Sequence, residues 1–175
     1  DKNKDGIIQY VMLEGEPGHQ DSLIRTEYCI KSLNEKGIQL EKLADDSANW
    51  QSDQANSKMT QWIKEFGDKI EVVFSNNDGM ALGAIHAINS NSDLIRKPIV
   101  VGVDGIKEAM ESIKNKEMNG TVISDSVAQA EAIFEIAIDV AQGKSLEDIS
   151  DMEKEKYKKI PHTKVTINNV DKYLK

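Results

Sequence analysis

The sequence predicts an α/β domain built on a doubly wound, mostly parallel sheet with flanking helices. Short apolar, β-rich runs alternate with longer stretches of helical periodicity, about four to five times along the chain. The clearest run, residues 70–75, is continuously apolar apart from Glu71 and Ser75, as a strand buried on both faces would be. Asn76-Asn77-Asp78 then breaks it, and Met80, Leu82, Ala84, Ile85 and Ile88 continue at helical spacing. Strand, tight polar loop and helix start form the unit whose C-terminal edge collects ligands in parallel sheets. Glu71 and Asn77 flank this strand, roughly 20 Å apart at ~3.3 Å per residue, so they would serve two different sites.

The chain has 175 residues, of which 39% are hydrophobic, 30% charged and 5% aromatic, enough for one domain with a real core. A net charge of −8 repels phosphate and argues against a nucleic-acid partner. No apolar run approaches the ~20 residues of a membrane span. The single cysteine, Cys29, excludes an internal disulfide; in a helical pattern with Ile24, Tyr28 and Leu33 it reads as a small buried filler. The chain opens abruptly on a polar loop, which points to a mature or truncated product.

That opening loop carries side-chain oxygens at Asp1, Asn3, Asp5 and Gln9, with Gly6 for a sharp turn and Ile7 placed to offer its carbonyl. Alternate spacing lets oxygens converge on one cation, as in calcium loops. Met12 stands where a bidentate Glu is expected, and a β pattern over residues 7–13 follows instead of a helix. The loop therefore reads as a calcium site that borrows a carboxylate from elsewhere; a polar turn before a strand is the alternative.

After the first strand, His19, Asp21 and Arg25 crowd the loop and first turn of a helix reaching about Lys36, with Ile24, Tyr28, Ile30 and Leu33 as its apolar face. Asp21 reads as a helix cap or a ligand group, Arg25 as its partner one turn on, and His19 alone as a surface histidine. A second strand is expected over residues 38–43 and a polar exit loop over residues 45–50. The next helix, residues 51–66, places Ala55, Met59, Trp62, Ile63 and Phe66 inward. Trp62 is thus core, whereas Trp50, in a polar loop, is free to act as a platform. Residues 99–104 form another apolar strand ending in Asp104, a cap of the helix over residues 106–114 or a ligand group. Residues 121–123 make a short strand ending at Ser124-Asp125, and a long Ala-rich helix covers residues 127–142. Residues 144–159 read as a charged loop with a helical turn, residues 163–167 as a last strand and residues 170–174 as a short helix.

The strand exits thus carry His19, Asp21, Arg25, Trp50, Asn77, Asp104 and Ser124. Planar polar groups beside one indole suit a sugar, whose hydroxyls need paired donors and acceptors and whose C–H face lies flat on a ring. No phosphate loop, nucleophile elbow or redox cysteine pair is present.

The segments DKNKDGIIQ, EPGHQDSLIR, KIEVVFSNNDGMALGAI and VVGVD, in this order and spacing, resemble the galactose/glucose-binding proteins of bacterial ABC sugar transporters. The likeness covers nearly the whole chain but only the C-terminal half of the family's full-length protein. It implies a periplasmic-binding-protein-like (type I) lobe. Residues 1–125 would form the C-terminal lobe, residues 126–160 the hinge crossing and a helix of the absent N-terminal lobe, and residues 161–175 a returning strand and terminal helix. The resemblance also implies hydrogen bonds to sugar hydroxyls from His19, Asp21, Arg25, Asn77 and Asp104, with Trp50 stacked on one face. Ser124 stands where the family usually has Asn, a longer side chain with different donor geometry. Asp1, Asn3, Asp5, Ile7 and Gln9 would hold a structural calcium, with Glu71 supplying the missing carboxylate, remote from the sugar.

The function so implied is non-catalytic hexose (D-galactose or D-glucose) binding for uptake. The protein would be periplasmic or at the cell surface, read by a membrane ABC permease and by a chemoreceptor. Without the other lobe, Ile133, Phe134, Ile136 and Val140 would refold locally, pair with a second copy or recruit the missing half. The sugar-sensing core of a LacI-type regulator shares the fold, but a calcium loop fits a cytosolic regulator poorly. A hydrolase would need two carboxylates facing one bond; Asp21 and Asp104 have Arg25 and Asn77 beside them, which suit fixed hydrogen bonding better.

Overall fold

Parallel strands buried on both faces need helices on both sides, and the chain supplies them by alternation. The computed structural model describes every residue except 93, 150, 154, 155 and 175. In order come β1 (Ile8–Glu14), α1 (Gln20–Asn34), β2 (Leu40–Ser47), α2 (Ser52–Phe66), β3 (Val72–Ser75), α3 (Asp78–Asn89), β4 (Ile99–Val101), α4 (Lys107–Lys114), β5 (Gly120–Ile123) and α5 (Ser126–Ala141). A two-stranded hairpin, β6 (Met152–Glu153) with β7 (Tyr157–Lys158), and β8 (Thr163–Thr166) complete it. The sheet runs β2-β1-β3-β4-β5-β8, parallel throughout except where β8 lies antiparallel to β5. This is the predicted doubly wound, mostly parallel sheet.

The alternation of side chains makes two cores. Val11, Leu13, Val73, Val100 and Val165 pack with Met59, Trp62, Met80, Ile85 and Ile113 from the helices of one face. Tyr10, Met12, Val72 and Phe74 point the other way, toward Cys29, Ile30 and Leu33 of α1. Cys29 packs there half-buried, less enclosed than the expected buried filler, and burial pushes its thiol up to about 11. Between α2 and α3, a Cβ on Gly83 would overlap the backbone of Ser52, so only glycine admits this close approach.

Several boundaries differ from the sequence reading. β2 extends to Ser47 instead of ending near residue 43, because its pairing with β1 continues to Glu14 opposite Ser47. Ile24 and Tyr28 are exposed, since α1 turns its Ile30 and Leu33 side to the sheet. They border an apolar groove of about 570 Å³ over Phe74, Val101 and Val122. The last strand ends at Thr166, leaving Ile167 exposed, and Val170 starts a single 3-10 turn with its own side chain buried. Within residues 144–159 the expected helical turn is a 3-10 turn at Leu146–Asp148, whereas the β6–β7 pair was not suggested by their charged composition. Among the described residues no helix is long and apolar enough to cross a membrane.

Helix α5 buries only Ala132, although its sequence is apolar. Val127, Ile133 and Phe134 stand 66–69% exposed, with Val140 beside them.

Candidate functional site

The parallel sheet brings the exits of β1, β2, β3, β4 and β5 to one edge, and Arg25 ties them together there. Its guanidinium donates to the backbone oxygen of Asn76 at 2.8 Å and to Asp104 Oδ1 at 3.1 Å, and approaches Asp21 Oδ2 at 3.5 Å. The same guanidinium lies 5.9 Å from the Trp50 ring centroid, and His19 meets that ring edge-on at 5.3 Å. Ser124 joins through its N–H, which donates to the Asp104 carbonyl. The Asn77 side chain and the Trp50 carbonyl both lie within 4 Å of where a Cβ on Gly79 would stand. All seven predicted residues therefore meet along this edge.

The local roles left open by spacing are settled here. His19, not Asp21, caps α1: its Nδ1 accepts from the Asp21 N–H at 3.1 Å, so the ring proton sits on Nε2, available to a ligand. Asp21 lies in the first turn and pairs with Arg25 one turn on. Ile106 rather than Asp104 precedes α4, so Asp104 is no helix cap. Asn77 does cap α3, its Oδ1 accepting from the Met80 N–H at 2.9 Å, which leaves its amide N–H groups for other partners. Asp125 caps α5, and Ser124 Oγ accepts from Gln129.

Trp50 is held in a costly pose. Asn49 and Trp50 both take left-handed φ values, 50° and 64°, which bulky L-residues avoid. The indole lies over Gly15, where any Cβ would overlap three of its ring atoms.

Two residues that spacing did not single out organise this edge. Asn76 is buried, and its Oδ1 accepts from Gly15 N, Ser22 Oγ and Thr26 Oγ1, locking the β1 exit to α1. Asp78 is fully buried and accepts from Gly105 N, Ile106 N and Thr121 Oγ1. Three consecutive polar residues gave no signal of which face inward; only the partners decide.

Burial pushes the Asp78 carboxyl up to about 6, against the pull of the Thr121 hydroxyl and the Gly105 and Ile106 N–H groups. A carboxyl raised in the folded state makes folding more favourable as pH falls through that value. Acidification from pH 7 to pH 5 should therefore stabilise the fold by about 1 kcal/mol through Asp78. Asp104 and Glu14, both raised chiefly by burial, act in the same direction. Asp46, held low by the Lys58 ammonium, and Asp5, held low by the Ile7 N–H, lose their contribution only below the ordinary carboxylate range. Urea unfolding at the two pH values checks this. Asp78→Asn should shrink the acid-side gain, and an unchanged gain in that variant would refute the assignment.

At the opposite end of the sheet lies the opening loop. Asn3 Nδ2 donates to Asp5 Oδ2 at 2.9 Å and to Gln9 Oε1 at 3.3 Å, and Gln9 Nε2 donates to Asp5 Oδ2 at 2.9 Å. Gly6 turns at φ 88°, its N–H donating to Asp1 Oδ2. The Glu71 carboxylate, 1% exposed, accepts from the backbone N–H groups of Lys2, Asn3 and Gln9. Asp1, Asn3, Asp5, Gln9 and Glu71 thus share one hydrogen-bonded region. Among the described residues no three His, Cys, Asp or Glu side chains form a metal cluster by themselves; amides intervene between the carboxylates. Carboxylate and amide side chains carry oxygens of the hard type that a cation such as calcium takes.

Comparison with known proteins places the chain. It is 42% identical over 177 residues to the D-galactose/methyl-galactoside binding periplasmic protein MglB of Haemophilus influenzae, covering 100% of this chain and 53% of that protein. An ABC transporter solute binding protein from Bacillus halodurans, solved with bound myo-inositol, superposes with a TM-score of 0.81 at 28% identity, over 99% of this chain and 56% of that one. A solute binding protein from Actinobacillus succinogenes, solved with bound D-allose, shares the fold at a TM-score of 0.83 and 24% identity, over 98% and 57% of the two chains. The chain thus spans about half the length of these relatives. Residues 1–145 match the family model of the periplasmic binding protein domain, and the chain belongs to that family.

Proposed function

We propose that this chain is the sugar-contacting C-terminal lobe of a non-catalytic hexose-binding protein that serves an ABC importer. The observation that carries this reading is the Arg25-centred edge, which presents carboxylates, an amide, an imidazole and one indole on a single side of the sheet. Fixed donors and acceptors beside an aromatic face match a pyranose, whose hydroxyls and C–H face ask for both. His19, Asp21, Arg25, Asn77, Asp104 and Ser124 would take hydroxyls and Trp50 one ring face. D-galactose and D-glucose are the ligands proposed; the name of the relative from Haemophilus influenzae supports the galactose part of that reading.

A second lobe would close over the other sugar face and cover α5, whose apolar side stands exposed. Residues 126–160 would then belong to that lobe, and the closed form would be what a membrane permease reads in the periplasm or at the cell surface. Asp1, Asn3, Asp5, Ile7, Gln9 and Glu71 would hold calcium, whose charge would tie the β1 entrance to β3.

Calorimetric titration of the calcium-loaded chain with each hexose tests the reading. Binding on the order of millimolar is expected, because one lobe desolvates one face; no heat and no spectral response to either sugar would refute it. Trp50→Ala should abolish the sugar-dependent fluorescence change, while Trp62, buried in the core, keeps its emission. A response that survives Trp50→Ala would mean that the stacking residue is wrongly assigned.

A further inference from the structure

We propose that Asp78 is a positioning residue that holds Asp104 in place at the ligand edge, acting through the backbone of residues 103–106; the ligand role of Asp104 rests on the hexose reading above.

Asp78 occupies the first turn of α3, where a carboxylate would ordinarily serve the helix's own N–H groups. Asn77 already does that. The Asp78 side chain instead reaches a different loop. Its Oδ2 accepts from Gly105 N at 2.7 Å and Ile106 N at 3.1 Å, and its Oδ1 from Thr121 Oγ1 of β5 at 2.6 Å. Its own N–H donates to the Val103 carbonyl at 2.7 Å. Residues 103, 105 and 106 are thus bound to one residue on another element, and Asp104 is the residue between them.

Asp104 needs such restraint. Its φ of 122° lies in a region that L-residues avoid, so the loop would relax if released. The loop on either side of it is tightly packed. A Cβ on Gly102 would come within 2.5 Å of Asp78 Oδ1, and one on Gly105 within 2.6 Å of Ile123. The Asp104 N–H donates to Val122 O and its carbonyl accepts from Ser124 N, so the strained residue also sets where Ser124 stands. With its backbone fixed, the Asp104 carboxylate meets Arg25 at 3.1 Å. Asn76 and Asp78 therefore flank the outward-facing Asn77 as two inward anchors, one for the α1 side of the edge and one for the β4–β5 side.

The test compares Asp78→Asn, Asp78→Ala and Thr121→Val, each alone and with Asp104→Ala, by NMR of the whole chain and by D-galactose titration. Asn can still accept from Gly105 and Ile106 and donate to Thr121, so Asp78→Asn should keep those two amide resonances and the Asp104 side-chain carbon shift. Asp78→Ala should move all three and weaken galactose binding roughly tenfold or more, the scale of losing bonds to a charged group. Thr121→Val, which removes one donor, should give a smaller shift in the same direction, and it carries the test should Asp78→Ala not fold. In the Asp104→Ala background, Asp78→Ala and Thr121→Val should change affinity little further, because their effect runs through Asp104. Unmoved Asp104 and Gly105 resonances, or equal affinity losses in both backgrounds, would overturn the proposal. If the wild-type chain shows no galactose response while these resonances shift as described, the hexose reading fails and the positioning role stands.

Discussion

On the hexose reading proposed above, replacing Gly15 by alanine will weaken sugar binding roughly tenfold or more, a loss of at least about 1.4 kcal/mol, while leaving the chain folded. Gly15 does not need glycine for its backbone angles, since its φ is not among the left-handed ones. It needs glycine for space: an added Cβ would overlap Cζ2, Cη2 and Cε2 of the Trp50 indole. One of the two must move. The Gly15 backbone is pinned on both sides, its N–H donating to Asn76 Oδ1 at 3.0 Å and its carbonyl accepting from Ser47 Oγ at 2.6 Å. The indole, partly exposed and on a strained backbone, is the freer partner and will swing away. Its edge-on contact with His19 and its place beside Arg25 go with it. Overpacking a rigid core costs about 1–3 kcal/mol, but a ring that can escape to solvent relieves most of that. Titration, melting and tryptophan emission separate the outcomes. Retained affinity with a displaced indole would show that the ring does not stack on the sugar.

On the calcium reading proposed above, withdrawing the ion is expected to destabilise the fold by about 2.7 kcal/mol when free calcium had stood at 100 times its dissociation constant, by linkage. The physical basis is Glu71, a carboxylate 1% exposed. Within the chain it is compensated by the backbone N–H groups of Lys2, Asn3 and Gln9. A cation would add the charge that a buried carboxylate otherwise lacks, and would take Asp5 Oδ2, the oxygen to which the Asn3 and Gln9 amides now donate. Melting with and without a chelator gives the shift. Glu71→Gln should abolish most of the calcium dependence, whereas Asp104→Asn should leave it intact, since Asp104 follows β4 at the far end of the sheet. A chelator that does not move the melt would end the metal assignment.

Much of this edge was legible because strand ends announce themselves. An apolar run followed by polar residues placed Asn77 and Asp104 past β3 and β4, and the helical stripe through Met59, Trp62 and Ile63 separated the core tryptophan from Trp50. Other features were not legible. β2 is an edge strand with the sequence Leu40-Glu41-Lys42-Leu43-Ala44-Asp45-Asp46-Ser47, whose charged second half carries no apolar alternation; its length comes from the pairing offered by β1. Ile24 and Tyr28 looked inward at helical spacing, yet α1 turns its Ile30 and Leu33 side to the sheet and leaves them exposed.

The sequence by itself determined the alternation of strands and helices, the doubly wound class and the two ends at which polar groups collect. These depend on local periodicity and on where an apolar run stops, which neighbours along the chain decide. The tertiary structure alone decided that Asn76 and Asp78 turn inward while Asn77 faces out, and that Gly15 makes room for an indole 35 residues later. It also decided that α5 leaves its apolar side exposed. A polar side chain can be buried only where donors from other elements meet it. Those donors, Gly15, Ser22 and Thr26 for Asn76, and Gly105, Ile106 and Thr121 for Asp78, lie some 27 to 61 residues away, where no local pattern reaches.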